Sequence, residues 1–255
     1  MGKHTYYYQH ETDDLVDSHN QSYQLPNDYS IFPTSRIGKI WSVIVRPLAH
    51  LVSFVYIRLI LNARIEGKEK LAQAGKQGFF LYGNHTQAFG DAVLPLSIID
   101  AKRYYAIGAQ ANWGIPVLGK LVLPYFGLPI GENLEQSGKL IRAVSTVIKA
   151  GKVVVIYPEA HVWPYYTKIR PFSSTSMHFP IAANVPSFCM TTTYSKPKHG
   201  SKPKITVFID GPFYPDTHLD KKAQQQKLHE QIFSAMQKRA EKSNYEYCTY
   251  HKNLV

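Results

Sequence analysis

The sequence predicts an α/β fold with an apolar helical segment ahead of it. Short runs rich in β-branched and aromatic residues, bounded by turn residues, recur between residues 78 and 210. Segments with helical periodicity alternate with these runs. A strongly apolar segment, residues 37–65, comes before them. The chain has 255 residues, of which 44% are hydrophobic, so we expect one main domain around a buried core.

Residues 1–36 are predicted to be a polar tail. They are rich in His, Asp, Asn, Gln, Ser and Tyr and show no sustained periodicity. Most of the acids of this segment lie in residues 1–30, and the whole chain carries a formal net charge of +11, so the rest of the chain is strongly basic. We expect a mobile tail or a loosely attached covering strap. No apolar stretch precedes a small-residue cleavage site there, so we expect no secretory signal peptide.

Residues 37–66 are predicted to form a pair of helices at a membrane interface. Pro47 is expected to bend the segment, and Arg46, Arg58 and Arg64 interrupt it. The longest part without Arg or Lys, residues 47–57, is about half the length that spans a bilayer. Arginine stems can reach lipid headgroups while apolar side chains are buried, so we expect a peripheral, monotopic attachment. A buried helical hairpin is the alternative.

Residues 67–245 are predicted to be the main α/β domain, followed by a C-terminal tail at 246–255. Its expected strands are residues 78–83, 103–108, 152–158, 187–194 and 204–210. A helix is expected before the third strand, where apolar residues at 140, 141, 144, 147 and 148 share one face and Gly151 provides the stop. A last helix is expected near residues 221–242. We therefore expect a layered domain of strands and helices.

The first expected strand ends at Gly83 and is followed by Asn84 and His85, with Asp91 six positions after the histidine. A histidine at the end of a strand is accessible and is held by a rigid element. Imidazole can accept a hydroxyl proton at neutral pH, and a carboxylate on its other nitrogen fixes the tautomer. These residues predict a general base. A structural histidine with an unrelated helix-capping aspartate is the alternative on this segment alone.

The strand, the Asn-His pair, the aspartate and the apolar segment after it resemble the first motif of the lysophosphatidic acid acyltransferase family. Three further blocks resemble its later motifs in order: residues 112–130 the segment leading into the second, 153–161 the third and 184–194 the fourth. The resemblance covers residues 37–210. It implies a mixed sheet flanked by helices, an O-acyltransferase activity, and His85 as base with Asp91 orienting it.

The resemblance also implies the substrates. The acyl donor would be acyl-CoA or acyl carrier protein, acting as co-substrate with no other cofactor, and the acceptor a hydroxyl of a lysophospholipid or other glycerolipid-like molecule. The residues that it assigns to substrate binding, or that lie beside the matched motifs, are Asn84, Tyr157, Glu159, His161, Lys168 and Arg170. For Glu159 the alternative is that it only caps the turn after Tyr157-Pro158, and we favour the role in the acceptor pocket. Lys168 and Arg170 could equally form a solvated turn.

The chain departs from the family pattern at three places. Five residues rather than four separate His85 from Asp91, so the pair can meet only through an irregular turn, which Gly90 would permit. Glu132 follows Gly131 where the family has a phosphate-binding arginine. In the third motif, Ala160 and His161 stand in place of Gly and Thr. The last two departures favour an acceptor other than lysophosphatidic acid.

The remaining predictions concern partners. The basic charge favours a polyanionic partner, and we expect a membrane lipid surface on the cytoplasmic side, with no nucleic acid because no recognisable binding module is present. No metal site is expected, since His161, His178 and Cys189 fit no zinc spacing. A catalytically silent, basic lipid-binding relative of the same fold is the alternative to the enzyme.

Overall fold

The computed structural model describes residues 4–16 and 22–253. The parts of the predicted tails at residues 1–3, 17–21 and 254–255 lie outside the described residues. The strands are β1 Thr5–Tyr8, β2 Arg64–Glu66, β3 Phe79–Gly83, β4 Tyr104–Gly108, β5 Gly127–Pro129, β6 Val153–Ile156, β7 Ser187–Ser195, β8 Lys204–Phe213 and β9 Thr249–Lys252. The α-helices are α1 Arg36–Phe54, α2 Gly90–Ile98, α3 Leu118–Leu121, α4 Leu123–Phe126, α5 Leu134–Lys149, α6 His178–Ala183 and α7 Lys221–Ala240.

Seven of these strands form one mixed sheet in the order β2-β8-β7-β3-β6-β4-β5. β7, β3, β6, β4 and β5 run parallel, β8 is antiparallel to β7, and β2 is parallel to β8. The central strands β3 and β6 are buried along their whole length, as parallel strands covered on both faces must be. The carboxyl ends of the five parallel strands share one edge, called the carboxyl edge below. The predicted mixed sheet flanked by helices is confirmed.

Two hydrophobic layers cover the sheet, and alternate residues of each central strand point into one or the other. Leu81 and Val155 pack with residues of α1 and α2, whereas Phe80 and Val154 pack with residues of α5 and α7. The Asn133 side chain caps α5 by accepting a hydrogen bond from the amide of Gln136. The sheet therefore provides a rigid support for the side chains at its carboxyl edge.

The predicted pair of apolar helices is wrong, because this segment forms one continuous helix. α1 runs directly into a π-helical turn at Val55–Ile60, and Pro47 lies inside it. A proline removes one helical hydrogen bond, but contacts beyond it hold the axis against the rest of the protein. The Ser53 hydroxyl donates to the carbonyl of Val93 at 2.7 Å, and His50 Nδ1 lies 2.9 Å from the carbonyl oxygen of Leu96.

Residues 36–60 are long enough and apolar enough to cross a membrane, by length and composition alone. One side of this helix packs on α2, and the other carries large apolar side chains that are 39–81% exposed. We call this the apolar face of α1; it comprises Ile37, Ile40, Val43, Ile44, Leu48, Leu51, Val52, Phe54, Val55, Leu59 and Ile60. An exposed apolar patch of this size in a folded protein indicates a surface for interaction.

The described parts of residues 1–36 lie against the domain. β1 pairs in parallel with β9, so that Tyr6 lies opposite Tyr250 and their rings stack. Further along, Leu25 is buried and its amide donates to the side-chain oxygen of Gln110 at 2.6 Å. Of the two expectations for this segment, a mobile tail or a covering strap, the contacts are those of a strap. The predicted C-terminal tail, residues 246–255, contains β9.

Candidate active site

An irregular loop at the carboxyl end of β3, residues 84–89, brings His85 and Asp91 together and is called the His85 loop below. The chain leaves β3 at Gly83 and enters α2 only at Gly90, and the amide of Asp91 donates to the carbonyl of Gln87 at 2.9 Å. In a regular helix, the side chains of His85 and Asp91 would point in different directions, whereas this compact turn lets them point towards each other. His85 Nδ1 lies 2.8 Å from Asp91 Oδ2. The longer spacing is therefore compatible with a direct contact.

The carboxylate of Asp91 is buried and organises the His85 loop. Its Oδ2 also accepts hydrogen bonds from the amides of Thr86 and Gln87, each at 2.8 Å. The side chain is 1% exposed, whereas that of His85 is 20% exposed. A carboxylate in this environment accepts a hydrogen bond from Nδ1–H of the neutral imidazole. This leaves Nε2 as the basic nitrogen of the ring. The pair thus has the arrangement of a general base with its orienting carboxylate.

Tyr157, which follows β6, supports the same pair from the side. Its ring stacks on the His85 ring with centroids 4.6 Å apart and planes inclined by 21°. Its hydroxyl donates to the backbone carbonyl of Asp91 at 2.6 Å. Burial, with the Asp91 carboxylate nearby, raises the pKa of Tyr157 well above its ordinary value. Tyr157 is therefore a neutral hydrogen-bond donor that restricts the orientation of the imidazole.

Glu159 and Arg170 form a buried ion pair directly behind His85. Glu159 Oε2 accepts from Arg170 Nη2 at 3.2 Å and from the backbone amide of His85 at 3.1 Å, and Glu159 Oε1 accepts from the amide of Arg170 at 3.0 Å. Neither side chain is more than 1% exposed. Burial raises the pKa of Glu159, and the Arg170 guanidinium opposes that rise.

The surroundings of this ion pair bear on its predicted role in substrate binding. Arg170 also donates to the carbonyl of His161 and lies over the Trp163 ring, 4.9 Å from its centroid. Both charged groups are thus engaged within the protein, and Glu159 fixes the backbone of His85. Substrate binding by Glu159 and Arg170 stays a prediction. In the structure, Glu159 accepts a hydrogen bond from the backbone amide of the candidate base His85, and Arg170 holds Glu159.

The other three predicted binding residues are Asn84, His161 and Lys168. Asn84 is buried and bridges β3 to β7, because its side chain donates to the carbonyl of Thr192 at 3.0 Å and accepts from the Thr192 amide at 2.8 Å. His161 is partly exposed, with Nδ1 3.3 Å from Asp14 Oδ2. Lys168 is exposed. The structure thus brings His85, Asp91, Tyr157 and Glu159 together and leaves Lys168 at the surface.

A polar network beside the His85 loop was not predicted from the sequence. The Tyr194 hydroxyl donates to Thr86 Oγ1 at 2.8 Å and accepts from Gln87 Nε2 at 2.9 Å. Trp163 and Tyr165 donate their backbone amides to the carbonyls of His85 and Thr86, both at 2.9 Å. Thr86 and Gln87 directly follow the histidine, which is a sequence signal for their place in the site. Nothing in the sequence marks Tyr194, which is 109 residues away from His85 along the chain.

The N-terminal strap reaches the same region. The Trp163 indole donates to the carbonyl of Asp13 at 2.9 Å, and Arg170 Nη1 donates to the carbonyl of Glu11 at 3.1 Å. The Trp163 ring stacks on Tyr250 of β9 with centroids 5.2 Å apart and planes inclined by 3°. Both terminal strands therefore pack on Trp163, whose backbone amide donates a hydrogen bond to the carbonyl of His85.

Replacement of Asn84 by alanine is expected to destabilise the fold by roughly 1–3 kcal/mol, because it leaves the amide and carbonyl of buried Thr192 without partners. Urea unfolding of the variant would measure the change. Asn112→Ala is the matched control, because Asn112 is exposed, and we expect a change within roughly 0.5 kcal/mol there. Equal effects of the two replacements would show that the bridge between β3 and β7 contributes nothing.

Comparison with known proteins gives a likeness of fold. No protein-family model matches the sequence, and no curated protein sequence matches it. Among solved structures, the chain is similar to the 1-acyl-sn-glycerophosphate (LPA) acyltransferase PlsC from Thermotoga maritima, with a TM-score of 0.58 and 15% sequence identity. The match covers 83% of this chain and 86% of that one. At this identity the likeness establishes that the two chains share a fold over most of their length.

Proposed function

We propose that this protein is an O-acyltransferase. It would move a fatty acyl group from acyl-CoA or acyl carrier protein to a hydroxyl of a lysophospholipid or other glycerolipid-like acceptor. The observation that carries the proposal is the 2.8 Å contact between His85 Nδ1 and the buried Asp91 carboxylate, at the carboxyl edge of a fold shared with PlsC. A base with its orienting carboxylate suits the deprotonation of a hydroxyl.

In the proposed reaction, His85 Nε2 takes the proton of the acceptor hydroxyl as its oxygen attacks the thioester carbonyl. The tetrahedral intermediate collapses with cleavage of the C–S bond, and the leaving thiolate takes the proton from the imidazolium. Asp91 stabilises that imidazolium through Nδ1. Backbone amides, with residues of the 112–120 segment, are proposed to stabilise the oxyanion, a contribution of about 2.7–4 kcal/mol for one such donor in other enzymes.

This scheme needs no acyl-enzyme intermediate. Replacement of both cysteines, Cys189 and Cys248, tests whether one forms on sulfur. Burial raises the pKa of the Cys189 thiol far above its ordinary value and that of the Cys248 thiol to about 11, so both stay protonated at neutral pH. The Cys189→Ala/Cys248→Ala protein is expected to retain most of the wild-type kcat, measured by thiol release. A well-folded double variant that has lost turnover would contradict one-step transfer and point to a covalent intermediate on sulfur.

The acceptor is proposed to differ from lysophosphatidic acid. Glu132 is exposed where the family has an arginine for the acceptor phosphate, and Arg170 is buried in its ion pair with Glu159. A solvent-accessible carboxylate repels an anionic headgroup rather than binding it. Lys168 is the exposed cation in the stretch between the third and fourth motifs, so any phosphate contact there would fall to it.

The site of action is proposed to be the cytoplasmic surface of a membrane, reached by peripheral attachment. The apolar face of α1 supports this proposal, because its large side chains can enter the headgroup boundary while Arg36, Lys39 and Arg58 stay near phosphates. The ring of Tyr56, at the end of this helix, contacts Phe89 of the His85 loop, with centroids 4.8 Å apart. A helix bound to lipid would thus lie close to the candidate base.

The test is an assay of purified protein with acyl-CoA and acyl carrier protein thioesters and a panel of lysolipids and glycolipids. Free thiol and acylated product are measured together, beside the His85→Ala protein. His85-dependent thiol release with a matching acylated product would support the enzyme and identify both substrates. Lipid binding without turnover for any donor would instead support a catalytically silent lipid-binding relative.

A further inference from the structure

A strongly basic hairpin connects β7 to β8 and has no role in the site described above. Residues 196–204 read KPKHGSKPK, and the side chains of Lys196, Lys198, Lys202 and Lys204 are all exposed. Within residues 4–16 and 22–253, no carboxylate lies within 4.0 Å of these four ammonium groups. We call residues 196–204 the basic hairpin. Its four charges are not neutralised by ion pairs with the described part of the chain.

The basic hairpin projects from the same edge of the sheet as His85. β7 is parallel to β3, and Met190 lies opposite Gly83, the last residue of β3. β7 then continues for five more residues, to Ser195, which extends it about 16 Å beyond the end of β3 at 3.3 Å per residue. Tyr194, at the base of the hairpin, donates its hydroxyl to Thr86 of the His85 loop. The hairpin is thus directly connected to that loop.

The end of the apolar helix lies at the same edge. β2 follows the π-helical turn that ends at Ile60, and its first residue, Arg64, lies opposite Thr206 of β8, two residues after Lys204. Leu59 is 70% exposed and Ile60 is 59% exposed. An uncovered apolar group and a group of four lysines therefore lie next to each other, and both lie on the side of the molecule that carries the candidate base.

The basic hairpin has a defined shape. The amide of Lys196 donates to Asn244 Oδ1 at 3.0 Å, and the Tyr245 hydroxyl donates to the carbonyl of Ser201 at 3.0 Å. Pro203 is buried and restricts the backbone at the start of β8. Because the backbone of the basic hairpin is already anchored at these points, docking on an anionic surface costs less conformational entropy than it would for a free loop.

We infer that the basic hairpin docks on the anionic headgroups of a membrane, beside the apolar end of α1, and turns the His85 edge towards the lipid. An acidic carrier protein is the other polyanion that fits four lysines. The membrane is favoured because apolar side chains and basic side chains lie side by side, which matches the boundary between acyl chains and headgroups. The inference deepens the proposed function and rests on it only for the statement that the acceptor is a lipid.

The test is sedimentation of the whole protein with vesicles, in the absence of any acyl donor. Vesicles of phosphatidylcholine alone are compared with vesicles of equal parts phosphatidylcholine and phosphatidylglycerol. The variant carries Lys→Gln at 196, 198, 202 and 204. The control carries Lys→Gln at 76, 149, 221 and 222, which removes the same charge from exposed lysines at the opposite edge of the sheet. Thermal unfolding of each variant checks that the fold is retained.

The hairpin variant is expected to bind the phosphatidylglycerol vesicles about a thousandfold more weakly than wild type, because four lysines near an anionic surface contribute roughly 1 kcal/mol each and every 1.4 kcal/mol is about tenfold in affinity. The control is expected to lose much less, and added salt should weaken wild-type binding more than binding of the hairpin variant. Equal losses in the two variants would overturn the inference, since net charge alone would then explain binding. Retained vesicle binding with lost affinity for acyl carrier protein would overturn it in favour of the carrier.

Failure of this inference and failure of the proposed function are distinguishable. Vesicle binding is measured without turnover, so it stands whether or not the protein is an enzyme. With substrates dispersed in detergent, the hairpin variant is expected to keep the acyl-transfer kcat of wild type, because none of its four lysines contacts the His85 loop. A hairpin variant that lost turnover in detergent would contradict a docking role and place the hairpin in the active site.

Discussion

Replacement of His85 by alanine is expected to lower kcat for acyl transfer by about 10²–10⁴-fold, the usual contribution of a general base. The variant keeps the His85 loop, because Asp91 still accepts from the amides of Thr86 and Gln87. The imidazole is 20% exposed, so its loss should cost about 1 kcal/mol of stability or less. Steady-state thiol release, with product analysis, measures the loss of activity, and urea unfolding measures the stability.

Asp91→Asn is the companion variant, because it keeps the size of the side chain and removes its charge. An asparagine cannot stabilise the imidazolium, so kcat should fall while KM for the acyl donor stays close to that of wild type. Should His85→Ala retain a tenth or more of the wild-type kcat, the base lies elsewhere and the reaction scheme is wrong. A normal kcat for Asp91→Asn would show that the carboxylate only shapes the loop.

Arg170→Met is expected to destabilise the fold by about 3–5 kcal/mol, because it leaves the Glu159 carboxylate buried without its partner. The folded-state pKa of Glu159 is raised already, and removal of the guanidinium raises it further above the unfolded value. A carboxyl group with a raised folded pKa stabilises the protein less as the pH rises, because the folded state binds its proton more tightly. Urea unfolding should therefore show a larger loss at pH about 8 than at about 5.

The double variant Glu159→Gln/Arg170→Met is the control for this prediction. The amide oxygen of the introduced glutamine can still accept from the backbone amide of His85, and neither replaced side chain carries a charge. We expect the double variant to be more stable than Arg170→Met alone and to have lost the dependence on pH. A single variant whose stability is close to wild type and independent of pH would mean that Glu159 is not held as a carboxylate behind His85.

The strands of the central sheet could be predicted from the sequence because they are runs rich in β-branched and aromatic residues, bounded by turn residues. Residues 187–194 and 204–210 were expected as strands and are found as Ser187–Ser195 and Lys204–Phe213. β2 and β5 were missed, since each has three residues and too little pattern to detect. The bend at Pro47 was predicted from a local rule, whereas tertiary contacts on α2 keep the helix continuous.

From the residues alone, the candidate site could be predicted only within one segment, whereas Tyr157 and Glu159 were assigned through the family resemblance. Asn84, His85 and Asp91 belong to one segment, and Gly90 indicated that an irregular turn was possible. The burial of Arg170 could not be foreseen, because a basic residue in a polar stretch is typical of the surface. Its place depends on Glu159 and Trp163, which precede it by 11 and 7 residues, and on Glu11, which the fold brings from 159 residues away.

The pairing of β1 with β9 has a consequence for synthesis of the protein. β1 leaves the ribosome well before β9, the strand that it pairs with, which follows about 240 residues later. At 5–20 residues per second, this is a delay of roughly 12–50 s. Trp163 lacks its contact with Tyr250 until β9 has been synthesised, so the aromatic packing behind His85 is incomplete until then. A chain stalled before residue 249 would carry the His85 loop without the strand pair that covers Trp163.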